Sequence, residues 1–174
     1  MKVYHGSYTR IERPMILMQE KGRDFGYGFY ATTIREQAER WAVRVARLCS
    51  RRSGMAESAV VNVYDFDEAA AERLRSKSFP NADLEWLDFV IRCRSDASFR
   101  HEYDIVSGKI ANDNVGETVE YVLAGIMRRE DAVARLRFEK INDQICFCTE
   151  KSLRVLAFAE RYVLKSVDWR NPHG

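Results

Sequence analysis

Apolar residues recur at every second position in some stretches of this chain and at three- to four-residue intervals in others, and the two regimes do not alternate regularly. Period two marks a strand with one buried face, and a period near 3.6 marks a helix with an apolar stripe. "KVYH" at residues 2–5 reads as a first strand, with Gly6-Ser7 as its end. "YGFYATT" at 27–33 reads as a second, rich in the aromatic and β-branched residues that strands favour. The period then changes. Ile34, Ala38, Trp41, Ala42, Val45 and Leu48 fall at helical spacing, with Thr33 as the expected N-cap. "SAVVNVYDF" at 58–66 is a third strand, and Asp65 or Asp67 is placed to cap a helix over "DEAAAERLRSK". A further helix follows over 81–94, with Leu84, Leu87, Val90 and Ile91 as its apolar face. "YDIVSG" reads as a buried strand, 118–127 and 131–138 as helices, and "DQICFCT" as a late strand. "SLRVLAFAERYVL" supplies one more strand after a helical turn. Strands and helices mixed in this way predict an α+β fold and not a doubly wound parallel sheet.

Residues 10–24 interrupt the pattern, with turn signals at Arg13-Pro14 and Gly22-Arg-Asp24. Elsewhere three prolines and nine glycines leave no linker, and no repeat is visible, so a single domain over 1–174 is expected. The formal charge of +2 is too small to argue for a nucleic-acid partner. No apolar run reaches the length of a membrane span, and "MKVYHGS" lacks the apolar core of a signal peptide, so a cytoplasmic protein without a membrane partner is expected. Four cysteines, Cys49, Cys93, Cys146 and Cys148, include one C-x-C whose thiols share a strand face. Neither His101 nor His173 stands at zinc-ligand spacing, so buried free thiols and no metal are expected. The arginines opposite the apolar stripe of the first helix (Arg35, Arg40, Arg44, Arg47, Arg51 and Arg52) read as a solvated face, with an anion-binding patch as the alternative.

Three short motifs lie on or beside expected strands: "YHGS" at 4–7, "DFGYGFYATT" at 24–33 and "NDQICFCT" at 142–149. Each alone has an ordinary structural explanation: a histidine closing a strand, a tyrosine in a sheet, a glutamine on a surface. In this order they resemble the His–Tyr–Glu class of NAD-dependent ADP-ribosyltransferases, the branch containing diphtheria toxin and the poly(ADP-ribose) polymerases. That class carries His-Gly on its first strand, Gly-hydrophobic-Tyr on its second, and its third catalytic residue at the opening of a late strand. The matching residues are His5-Gly6, Gly28-Phe29-Tyr30 and Gln144, with Trp41 where the class often has a second aromatic. The likeness extends loosely over residues 2–160. It looks most like a small bacterial branch, catalogued as a domain of unknown function and often seen as toxin-like proteins; "YDIVSGKIANDN" resembles a segment of that branch.

The resemblance implies a fold of mixed sheets flanked by helices, with NAD as substrate and no metal. Breaking the bond between ribose and a cationic nicotinamide asks the protein to grip a flat cation and orient a sugar. Tyr30 and Trp41 are then the expected aromatic sandwich, and Gly6 lets the backbone approach the carboxamide. His5 holds a ribose hydroxyl, Ser7 touches the dinucleotide, and Asn142 lies on the acceptor side. These are roles of positioning and electrostatics. Gln144 departs from the glutamate of the polymerases: an amide can orient a hydroxyl but carries no charge and is no base. The resemblance therefore implies mono-ADP-ribosylation of an unidentified acceptor, protein or nucleic acid, by the toxin of a bacterial toxin–antitoxin pair, with an antitoxin protein as a further candidate partner. The alternative is a catalytically weak or inactive NAD- or nucleotide-binding module. A third reading, an RNA-directed toxin using Arg44, Arg47, Arg51 and Arg52, lacks a second histidine in a matching motif for acid–base cleavage.

Overall fold

The computed structural model describes residues 1–18, 23–96, 98–109, 113–136 and 143–164, the side chains of 109 and 113–115 excepted. Among these residues it has the α+β composition expected from the sequence, with two sheets and six helices. The chain forms two compact units, each assembled from separate stretches: residues 1–14, 31–67 and 156 onward in one, residues 15–30 and 68–155 in the other.

The first unit is an antiparallel sheet with a helix on one face. Strand β1 (Lys2–Ser7) pairs with β3 (Val60–Phe66), which pairs in turn with β7 (Leu156–Val163). Gly6 and Ser7 do not end β1; they continue its ladder opposite Val61 and Val60. The reason for Gly6 lies in packing. A Cβ there would fall 2.3 Å from the Ala38 carbonyl oxygen and 2.6 Å from the Ala42 nitrogen of helix α1 (Arg35–Ser53). Glycine lets the helix backbone lie directly on the strand.

The stripe that α1 buries is Ala38, Ala42, Ala46 and Ser50, four residues apart along one face. It meets Val61 and Val63 of β3, with Tyr4 and Tyr162 at the edge. Trp41 and Leu48, read from spacing as part of that face, are 44% and 46% exposed. Small residues win because only they permit the close approach that Gly6 sets. The cap also differs from expectation. The N-cap position is Ile34, which offers no side-chain hydrogen bond, and the Thr32 hydroxyl oxygen accepts from the Ile34 N–H at 3.0 Å.

The second unit holds a four-stranded sheet in the order β2 (Phe29–Ala31), β6 (Asp143–Phe147), β5 (Ile105–Lys109), β4 (Ser76–Phe79). β5 and β6 are antiparallel, whereas β4 and β5 are parallel, so the chain between them must cross over. Helix α3 (Leu84–Ser95) makes that crossing, capped by Asp83, whose carboxylate accepts from the Trp86 N–H at 3.0 Å. The expected helix over 67–77 is only the turn α2 (Glu68–Ala71), and its far end is β4 instead. Helices α4 (Asp113–Leu123), α5 (Arg129–Leu136) and α6 (Glu150–Leu153) complete the unit. Its core is large and aromatic: Phe25, Tyr30, Phe79, Trp86, Leu87, Val90, Val106 and Cys146 are among the buried side chains. No described helix is long and apolar enough to cross a membrane.

Candidate functional site

In the first unit, the alternation of β1 puts Tyr4 and Gly6 toward α1, and Val3, His5 and Ser7 on the opposite face. His5 is half-buried and directly opposite Asn62 of β3. Asn62 is fully buried; its Nδ2 donates to the Thr9 carbonyl at 3.0 Å and its Oδ1 accepts from the Ile11 N–H at 2.9 Å. The loop that leaves β1 is thus tied down beside His5. The Ser7 hydroxyl oxygen, also buried, accepts from the Thr9 N–H at 3.3 Å and shapes the same loop. Trp41 stands exposed on α1, with the Arg44 guanidinium 5.5 Å from its ring centre.

In the second unit, Tyr30 lies on β2, hydrogen-bonded neighbour of the strand that carries Gln144. Tyr30 is only 8% exposed. Its hydroxyl donates to the Gly26 carbonyl and accepts from the Phe25 N–H at 3.3 Å. Burial, helped by the neighbouring Cys146 thiol, pushes the phenol well above its ordinary pKa, so it stays neutral. The Arg23 guanidinium lies over the ring, 5.1 Å from its centre. Gly28 is a glycine for a steric reason: a Cβ would fall 2.3 Å from the Cys146 sulfur and 2.7 Å from the Phe147 carbonyl oxygen.

Gln144 shares a face of β6 with Cys146. Its Oε1 is buried and meets no hydrogen-bond donor among the described residues. A buried acceptor left in that state costs about 1–3 kcal/mol. Asn142 lies outside the described residues.

The loop that leads into β2 is fixed by an ion pair. Asp24 and Arg94 of α3 are both largely buried, with Arg94 Nη2 2.6 Å and Nε 2.8 Å from Asp24 Oδ1. Asp104, fully buried just before β5, accepts from the Thr149 hydroxyl at 2.9 Å, the Arg75 N–H at 3.0 Å and Lys151 Nζ at 3.0 Å. Burial raises its carboxyl pKa, but these donors outweigh it and hold the group below the ordinary value. In the sequence Asp24 reads only as part of a turn signal and Asp104 only as part of a strand, neither as a buried, paired carboxylate. The signal available was an acidic residue adjoining each apolar run, in "RDFGYG" and "YDIVSG".

All four cysteines are free; Cys93 and Cys146 are buried, Cys49 and Cys148 only partly so. No group of three metal-ligating side chains is arranged to hold an ion among the described residues. A comparison with curated proteins gives no match. A family model described as "Protein of unknown function (DUF3990)" matches residues 1–158, a span that takes in every candidate residue from His5 to Gln144. With nine-tenths of its length inside that match, the chain belongs to the DUF3990 family of proteins of unknown function.

Proposed function

We propose that this protein is an NAD-dependent mono-ADP-ribosyltransferase, with the toxin of a bacterial toxin–antitoxin pair as its biological setting. The observation that carries the proposal is Gln144 Oε1, a buried acceptor without a donor among the described residues, on the strand next to the one bearing Tyr30. A ribose hydroxyl is a donor of the right kind, and the penalty of the empty pairing is relieved when such a ligand binds. Two further observations agree. Both aromatics assigned to the nicotinamide carry a planar cation over the ring, Arg23 on Tyr30 and Arg44 on Trp41. Faces that hold a guanidinium suit a nicotinamide cation on the same electrostatic grounds.

In the proposed reaction the bond between ribose C1′ and the nicotinamide nitrogen breaks, and the leaving nitrogen keeps the electron pair. A nucleophile on the acceptor, a protein or nucleic acid, takes C1′ and releases its proton. His5 orients the sugar, with Gly6 and Ser7 beside it on β1, and Gln144 accepts from a ribose hydroxyl. Gln144 supplies no charge, so its part is orientation. The same neutrality favours a second reading, an NAD-binding module without turnover.

Gln144→Leu tests the assignment. Leucine removes the orphaned acceptor, so the melting temperature is expected to hold or rise while nicotinamide release from NAD falls at least tenfold. Loss of stability with unchanged turnover would place Gln144 in the framework and sink the proposal. Tight NAD binding by the wild type without release of nicotinamide would favour the module.

A further inference from the structure

The thiols of Cys93, Cys146 and Cys148 have no part in the proposed chemistry, yet they are not equivalent. Cys146 and Cys148 share a face of the β6 strand line, and their sulfurs are 3.3 Å apart. Cys148 remains bonded to the ladder, its N–H donating to the Asp104 carbonyl at 2.8 Å. Cys146 is wholly buried, whereas Cys148 is half-buried and reachable from solvent. The His101 imidazole lies close enough to Cys148 to favour its charged form. That imidazole is fixed by Nε2 donating to the Phe25 carbonyl at 3.1 Å and by the Phe89 and Tyr103 rings, 5.3 and 5.7 Å away.

We propose that Cys148 and Cys146 form a reversible oxidation site, in which Cys148 reacts with a peroxide and Cys146 resolves the product into a disulfide. The electrostatics distinguish the two roles. The Cys146 hydrogen bond favours the Cys148 thiolate most; burial opposes it, and His101 adds support, for a net lowering of its pKa. Burial pushes Cys146 well above the ordinary thiol value, with the Cys148 charge adding to it. Cys93 is also raised by burial, to about 12, which makes it a poor competitor.

The chemistry balances. The Cys148 thiolate attacks one peroxide oxygen and forms a sulfenic acid; the other oxygen leaves as hydroxide and takes a proton to become water. The Cys146 sulfur then attacks the sulfenic sulfur, the S–S bond forms, and the departing hydroxide takes the Cys146 proton. Two thiols have lost two electrons and one peroxide has become two waters. Closure needs a local bend. Residues two apart on an extended strand have Cα atoms about 6.6 Å apart, at the long end of the roughly 4.4–6.8 Å that disulfides span, and Cβ atoms farther apart than the roughly 3.5–4.5 Å they require. The backbone at Cys148, one residue past the end of β6, therefore has to turn toward Cys146. From 3.3 Å, the sulfurs need to approach by about 1.2 Å to reach a bond of about 2.05 Å. A span at the long end of that range leaves the bond open to thiol reductants.

The site adjoins Tyr30. The Cys146 sulfur occupies the space that a Cβ on Gly28 would need and helps to raise the pKa of the Tyr30 hydroxyl. Drawing that sulfur toward Cys148 loosens its hold on β2, and only this consequence for NAD rests on the function proposed above.

Reduced protein, treated with hydrogen peroxide under native conditions, alkylated and mapped by peptide mass, tests the site. A Cys146–Cys148 disulfide reversed by dithiothreitol is expected, with Cys49 and Cys93 still alkylated. Cys146→Ser should leave a sulfenic acid at Cys148 that dimedone traps, and Cys148→Ser should give no such product at Cys146. Oxidation of Cys49 ahead of Cys148, a bond from Cys148 to Cys93, or four surviving thiols where free glutathione is oxidised would each overturn the proposal. None of these readouts involves NAD, so a failure here is separable from failure of the transferase reading.

Discussion

Replacing Gly6 with alanine separates two reasons for having a glycine on β1: approach of a ligand's carboxamide, and approach of the protein's own helix. The new Cβ would sit 2.3 Å from the Ala38 carbonyl oxygen and 2.6 Å from the Ala42 nitrogen. Both are backbone atoms, so no rotamer change relieves the clash. Restoring ordinary contact of about 3.4 Å needs α1 to retreat by about 1 Å, and such a gap forfeits a quarter to a half of each dispersion contact. The losses fall on the cluster of Ala38, Ala42, Val61 and Val63. Overpacking typically costs about 1–3 kcal/mol, and a rigid backbone obstacle argues for the upper end, about 3 kcal/mol. For a chain of this size that lowers Tm by about 6–12 °C. Thermal unfolding followed by far-ultraviolet circular dichroism reads the change. A Tm within about 2 °C of the wild type, with NAD handling alone impaired, would refute the packing argument and leave Gly6 purely a ligand-facing residue.

Further substitutions probe the framework and the exposed ring of Trp41. Arg94→Met leaves Asp24 buried without its partner and should cost about 3–5 kcal/mol in urea unfolding, part of which Asp24→Asn restores in the double variant. Asp104 holds its charge against burial, so its native pKa lies below the unfolded value of about 3.9. The stability it contributes is present above that value and lost as pH falls through the native pKa; Asp104→Asn should therefore flatten the acid limb of a stability–pH curve. Trp41→Ala removes an exposed ring, so Tm should move by less than about 1 °C, while NAD affinity measured by calorimetry weakens several-fold; unchanged affinity would remove Trp41 from the nicotinamide grip.

The α+β class was legible because it depends on where the period of apolar residues changes, and those changes survive errors at element ends. The boundaries were less so. Gly6-Ser7 reads locally as a turn, but a glycine that admits a helix backbone and one that bends a chain look alike until the partner is known. Spacing placed Trp41 and Leu48 on the buried face of α1, yet bulk decides which residues fit against Gly6, and the alanines took that face. β4 was hidden because "SKSF" is short, polar and continuous with a helical pattern. Tyr30 stood out in the sequence through its motif; its place in the aromatic core did not, since "YGFYATT" reads equally as a half-exposed strand. Gln144 was visible as a departure from a resembled pattern. That its amide oxygen is buried with no donor among the described residues depends on burial and neighbours that no linear spacing encodes.

The most direct test of the account is nicotinamide release from NAD by the purified protein, compared with His5→Ala. His5 is half-buried on β1 among the residues proposed to hold the sugar, so its loss should strip the reaction. Measurable release by the wild type is expected, with a fall of at least tenfold in the variant. Equal release by both proteins, or none by the wild type together with no binding of NAD, would contradict it.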